Sequence, residues 1–153
     1  MKFAIISLFL FLFSCKFSEQ KNVHLDVITE FLHLQENFKS SIDLIEDEAS
    51  FDSASLSLGQ SIVSLAALAE NMKLLKMPSL EEKEACREIV FKALATQPSA
   101  DSALDLLTIE SREKEVTVLL SDYASALRKV EEECARLYGT PLQDKKTPMK
   151  PAF

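Results

Sequence analysis

Residues 116–137 read VTVLLSDYASALRKVEEECARL, and this stretch decides the fold class of the chain. Its apolar side chains recur every three or four residues, which is the period that places them on one face of an α-helix. Gly139 and Pro141 follow directly and predict the end of this helix, with Gly139 as its C-cap. A helix of this kind is stable when a partner covers its apolar face, so we expect further helices with matching faces. The face comprises Val116, Leu119, Leu120, Tyr123, Ala126, Leu127, Val130, Cys134 and Leu137.

Two predicted helices come first in the chain. Helical spacing of apolar residues extends from about residue 22 to residue 48 and predicts the first helix. We expect a break at residues 49–51, after which Asp52 or Ser53 caps the second helix. Pro78 ends that second helix, because a proline interrupts the hydrogen bonding of a helix interior.

The boundaries of the third helix are the best marked. Ser79 and Glu82 have the spacing of a capping box, in which each side chain bonds the backbone N–H of the other residue. Residues 97–99 end this helix and cap the next one. Residues 100–137 are helical by composition, but polar residues separate Leu104 and Leu107 from the later apolar face, so we expect a break near residues 108–112.

Composition supports an all-helical domain and excludes several classes of protein. The chain has two glycines and no tryptophan, so glycine-rich phosphate loops, dinucleotide-binding fingerprints and nucleophile elbows cannot be built. The 24 acidic residues outnumber the 17 basic ones, and this balance argues against nucleic acid as a partner. We predict an antiparallel bundle of four to five helices over residues 22–138, followed by a disordered tail over residues 139–153.

The first fifteen residues have a separate pattern. Lys2 precedes an apolar run over residues 3–13, and the run leads into Leu12-Phe13-Ser14-Cys15. This stretch resembles the signal peptide of bacterial lipoproteins, which is cleaved before a cysteine that then carries the lipid. The run is too short for a transmembrane helix, which needs about 20 apolar residues. Secretion without lipid, with Cys15 as a free thiol, and a buried cytoplasmic segment are the alternatives that stay open.

The resemblance has consequences for the whole chain. It implies that residues 1–14 are removed, that Cys15 is the lipidation site and that residues 15–21 form a polar tether. It also implies a resident of the bacterial cell envelope that is held to a membrane by its lipid anchor. Lys16 follows the cysteine where an inner-membrane retention signal would have Asp, so we expect the outer membrane, on either its periplasmic or its surface face.

Few residues are candidates for chemistry. Glu30 and His33 have the spacing of ligands in di-iron bundles, but His24 lies about 180° around the same helix from His33, so no metal site is predicted. Cys86 and Cys134 lie on apolar faces, where they are either buried free thiols or, in an oxidising compartment, a disulfide. Only a chain that reverses near residues 108–112, or a dimer, brings Cys134 close enough to Cys86 for a bridge. No catalytic residue and no cofactor is predicted.

The expected function is therefore binding without catalysis. We expect a lipid-anchored helical module that binds a partner protein or associates with itself, or has a structural role, through an apolar face that the bundle leaves uncovered. Gln35 and Lys39 interrupt the stripe of the first helix, which makes that helix the expected partly exposed element. The alternative is a carrier whose bundle holds a lipid or another apolar small molecule in a cavity.

Overall fold

The structure, a computed structural model, describes residues 22–98 and 100–140 and confirms the all-α fold class. Within these residues it contains helices and no strand. Five α-helices follow one another, with a single turn of 3₁₀-helix over Glu110–Arg112 before the last of them. They are α1 (Val23–Asp43), α2 (Glu48–Lys73), α3 (Leu80–Ala95), α4 (Ala100–Leu107) and α5 (Glu113–Tyr138).

The four long helices alternate in direction along the chain and form a bundle. α1 packs against both α2 and α3, and α5 packs against the same two helices from the other side. His24 at the start of α1 contacts Tyr138 at the end of α5, so these two helices are antiparallel. At the other end of the bundle, Arg112 bonds Asp52 at 2.9 Å and holds the start of α5 beside the start of α2. α2 and α5 therefore run in the same direction, as do α1 and α3.

We call one end of the bundle the base. It consists of the start of α1, the connection 74–79, the start of α3 and the end of α5. The short α4 packs near the opposite end, against α5 and α1. Between the two ends lies a core of large side chains that are fully buried, among them Ile28, Phe31, Phe38, Ile42, Leu58, Leu65, Leu68, Met72, Val90 and Leu137.

The boundary between the first two helices differs from the prediction. α1 ends at Asp43 instead of continuing to residue 48, and α2 begins at Glu48, before the predicted break at 49–51. The cap is Asp47, whose carboxylate accepts the backbone N–H of Ser50 at 2.8 Å. The Ser50 hydroxyl in turn accepts the backbone N–H of Asp47 at 2.9 Å. This reciprocal pair satisfies two free donors at the helix start, so Asp52 lies inside the helix and Phe51 is a core residue.

Three other predicted boundaries are confirmed. The Ser79 hydroxyl accepts the N–H of Glu82, and the Glu82 carboxylate accepts the N–H of Ser79 at 2.7 Å. Gly139 caps α5 with a φ of 72°, a left-handed conformation that glycine adopts without strain. The chain also leaves the helix between α4 and α5, at residues 108–109. Among the α4 side chains that the structure describes, Leu106 is buried, and it was not predicted as such.

Several predictions concern residues outside the described ranges. They are the signal peptide over residues 1–14, Cys15 with its lipid, the tether over residues 15–21, the capping role of Ser99 and the tail beyond Thr140.

Candidate functional site

An exposed apolar groove lies along the outer side of α2 and α5. On α2, Leu56 and Val63 flank Gly59 and are 72% and 69% exposed. On α5, Val118 is 60% exposed. Leu56, Gly59 and Val63 line a groove of about 630 Å³, and Gly59 and Val118 line an adjoining one of about 420 Å³. The two meet at Gly59, and we call them together the α2–α5 groove.

The position of Gly59 is unusual for a helix interior. It lies in the middle of α2, where glycine costs about 1 kcal/mol relative to alanine because it loses more backbone freedom on folding. A Cβ atom added there would meet no heavy atom within 4 Å, so packing inside this chain does not require the glycine. Its effect is to leave a notch between Leu56 and Val63 in which another chain can approach the helix backbone closely.

The rim of the α2–α5 groove is polar. Lys114, Glu115 and Asp122 line it on the α5 side, and Ser55, Gln60 and Ser64 line it on the α2 side. The floor is formed by Ile62 and Leu119, both partly buried against the core. An apolar centre with a polar rim is the usual anatomy of a protein-binding surface.

The apolar stripe of α1, which was predicted to be partly exposed, is covered by the other helices. Gln35, which was predicted at the edge of its stripe, is fully buried, and α1 packs against α2, α3 and α4. Lys39 is only partly exposed and pairs with Asp43 at 2.8 Å. The prediction for α1 is wrong because a buried polar partner on α5 accommodates the amide of Gln35.

That partner is Tyr123, which makes a polar contact in the centre of the core. The Tyr123 hydroxyl donates to Gln35 Oε1 at 2.8 Å, while Gln35 Nε2 has no partner. The ring of Phe38 stacks on Tyr123 with 3.8 Å between the ring centroids. Burial raises the pKa of Tyr123, so its hydroxyl stays protonated. A directional bond inside an apolar core sets the register of α1 against α5, which apolar contacts alone define less sharply.

The base of the bundle gathers the two cysteines. Cys86 on α3 and Cys134 on α5 are both fully buried, and both are unbridged. Each thiol lies close enough to Tyr138 to raise the pKa of its hydroxyl, after the larger effect of burial. Because the chain reverses after α4, α5 and not α4 is the partner of α3, and this brings the two cysteines to the same end of the fold.

The electrostatics of these thiols disfavour reactivity. Burial raises the pKa of Cys86, and nearby Glu82 adds to the effect. Burial raises the pKa of Cys134 to about 12, with Glu131 and Glu133 as smaller contributions. The thiolate is the nucleophile in cysteine chemistry, so both side chains are inert at neutral pH.

The two histidines lie in different surroundings. His24 is buried at the base, where its Nδ1 and the Tyr138 hydroxyl share a hydrogen bond of 3.1 Å. His33 is exposed, and its partner is Glu36 at 3.6 Å rather than Glu30. Over residues 22–98 and 100–140 no group of three or more His, Cys, Asp or Glu side chains is arranged to hold a metal ion.

No protein-family profile, no curated protein and no solved structure matches this chain. Among the helices described above, none has the length and apolar character needed to cross a membrane.

Proposed function

We propose that this protein is a lipid-anchored helical module of the bacterial envelope that binds a partner protein through the α2–α5 groove. The observation that carries the binding role is the exposure of Leu56, Val63 and Val118 around the notch at Gly59. Covering the exposed part of one such side chain is worth roughly 1–2 kcal/mol. Three of them around one notch suit a partner helix with an aliphatic face, because such helices bind in apolar grooves.

The lipid anchor rests on the sequence Leu12-Phe13-Ser14-Cys15 and its resemblance to lipoprotein signals. Several acyl chains on one terminus give firm attachment, whereas a single chain binds a membrane weakly. Mass spectrometry of the protein purified from its own cells tests this part. An amino terminus at Cys15 with added acyl mass supports the anchor, and an intact Met1 or an unmodified Cys15 refutes it.

The carrier alternative requires an apolar cavity of several hundred Å³ inside the bundle. The core residues between the helices are buried, and the α2–α5 groove opens to solvent with a polar rim. No feature of the described residues favours the carrier over the binding module.

Photo-crosslinking in living cells tests the binding role. A photoreactive amino acid at position 56 or 118 should give a discrete cross-linked protein product. The same amino acid at Phe91, which is 46% exposed but lies on α3, away from the residues that line the groove, serves as the control. We expect Val63→Gln to abolish the product formed from position 118. Equal products from positions 91 and 118, or a product that Val63→Gln does not affect, would contradict the proposal.

A further inference from the structure

A second exposed apolar surface lies at the base of the bundle. Leu74, the C-cap of α2, is 84% exposed, and Leu80 in the first turn of α3 is 77% exposed. Met77 between them and Val23 at the start of α1 are also exposed. Val23 and Leu74 line one groove of about 790 Å³. Met77 lies in the connection before α3 and Leu80 is the first residue of α3, so all four side chains belong to the base. We call them the base patch.

Both ends of the described chain emerge beside this patch. Asn22 lines the same groove as Leu74, and Thr140 lines a neighbouring groove with Leu80. The seven residues 15–21 connect Asn22 to Cys15 and span at most about 25 Å when fully extended. α2 alone has 26 residues and is about 39 Å long. A lipid on Cys15 would therefore hold the base, and not the opposite end, close to the bilayer.

The two ends of the bundle also differ in charge, although the groove at the base is itself lined by Lys76, Glu81 and Glu82. The end of the bundle opposite the base is crowded with carboxylates: Asp43, Glu46, Asp47, Glu48, Glu110 and Glu113. The segments that join the base carry more lysine than acid. Lys16 and Lys21 face one acidic residue in the tether, and Lys145, Lys146 and Lys150 face one in residues 141–153. An anionic surface repels the first end and attracts these segments within a Debye length of about 10 Å.

From this arrangement we propose that the base patch rests on the lipid bilayer, so that the bundle stands upright and presents the α2–α5 groove away from the membrane surface. The occupant is the headgroup region of an anionic bilayer. Leu74, Met77, Leu80 and Val23 insert among the headgroups. This inference rests on the proposed lipid anchor, which supplies the attachment that the base patch then orients.

The chain has no tryptophan, so a single introduced tryptophan reports its own surroundings. Leu74→Trp and Leu44→Trp are a matched pair, because both leucines are exposed C-cap residues with αR backbone angles. Residues 15–153 of each variant are coupled through Cys15 to a maleimide phospholipid, in vesicles of phosphatidylethanolamine and phosphatidylglycerol. The buried Cys86 and Cys134 do not compete for the maleimide.

We expect Trp emission at position 74 to shift to shorter wavelength on vesicles and to lose most of its quenching by aqueous iodide. Emission at position 44 should not change. Met77→Trp repeats the test at a second site. Equal quenching at positions 74 and 44 on vesicles would overturn the inference. An equal shift of the Trp emission at position 74 in the absence of vesicles would also overturn the inference, because it would indicate contact between copies of the protein. The maleimide supplies the anchor here, so this outcome is independent of the mass spectrometry that tests acylation in cells.

Discussion

The two glycines of the chain provide an internally controlled test of the fold. Gly59 has helical backbone angles in the middle of α2, whereas Gly139 caps α5 with a φ of 72°. A Cβ added at either position meets no heavy atom within 4 Å. Alanine at each site therefore adds the same methyl group without a clash or a packing gain. Any difference between the two variants reports the backbone conformation alone.

The expected effects have opposite signs. Gly59→Ala should raise the free energy of unfolding by about 1 kcal/mol, because alanine loses less conformational freedom in a helix. For a domain of this size that corresponds to an increase in Tm of about 4 °C. Gly139→Ala should lower the free energy of unfolding by roughly 1–2 kcal/mol, because a side chain in the left-handed region approaches the following carbonyl oxygen.

Urea and thermal unfolding followed by circular dichroism at the helical band measure both changes. A Gly59→Ala variant that is less stable than the wild type would refute the position of Gly59 in the α2 interior. A Gly139→Ala variant of unchanged stability would refute the left-handed cap. Gly59→Ala also separates folding from binding. If the notch receives a partner, the variant should give less cross-linked product from position 118 although its domain is more stable.

Three further outcomes follow from the buried polar groups. Tyr123→Phe leaves both the oxygen and the nitrogen of the Gln35 amide unpaired and should lower the free energy of unfolding by about 1–3 kcal/mol. Adding Gln35→Met should restore most of the lost stability, because no buried amide then remains. Equal stabilities of the single and double variants would contradict the contact. Burial raises the pKa of the Glu131 carboxyl from its ordinary value of 4.5. The folded state therefore loses stability as the pH rises above 4.5, because the partly buried carboxyl must then ionise. Glu131→Gln should stabilise the protein at pH 7 and have little effect near pH 3, and urea unfolding at both pH values measures this. In a Cys15→Ser protein, a thiol reagent should label Cys86 and Cys134 only after denaturation, and rapid labelling of either under native conditions would contradict their burial.

The sequence predicted the boundaries where a side chain acts locally. Both confirmed caps involve residues only a few positions apart, Ser79 with Glu82 and Gly139 before Pro141. They hydrogen-bond the free backbone groups of a helix end or terminate the helix, so a short stretch of sequence contains the whole interaction. The start of α2 was missed although Asp47 and Ser50 are equally local. Asp52 and Ser53 offered a second cap of the same chemistry, and the choice between them depends on whether Phe51 reaches the core.

The α2–α5 groove could not be predicted in this way. Leu56 and Val63 are exposed on α2, and neither was assigned a role from the sequence. Val118 is more than fifty residues away, and it lines a groove with Gly59 only because α2 and α5 pack side by side in the same direction. The burial of Gln35 has the same origin, since its partner Tyr123 lies on a helix that is distant in sequence.

The packing of α5 has a consequence for how the chain is made. α5 is the last of the described helices to leave the ribosome, yet it forms a wall of the core against both α2 and α3. Until it arrives, Leu58, Leu65 and Val90 lack part of their apolar cover. Closure of the core then depends on contacts between segments far apart in the chain, and apolar surface stays exposed until α5 is made. A chain terminated before Glu113 would retain the three long helices α1, α2 and α3 and the short α4 without the helix that completes the core, and we expect chaperones and proteases to act on such a product.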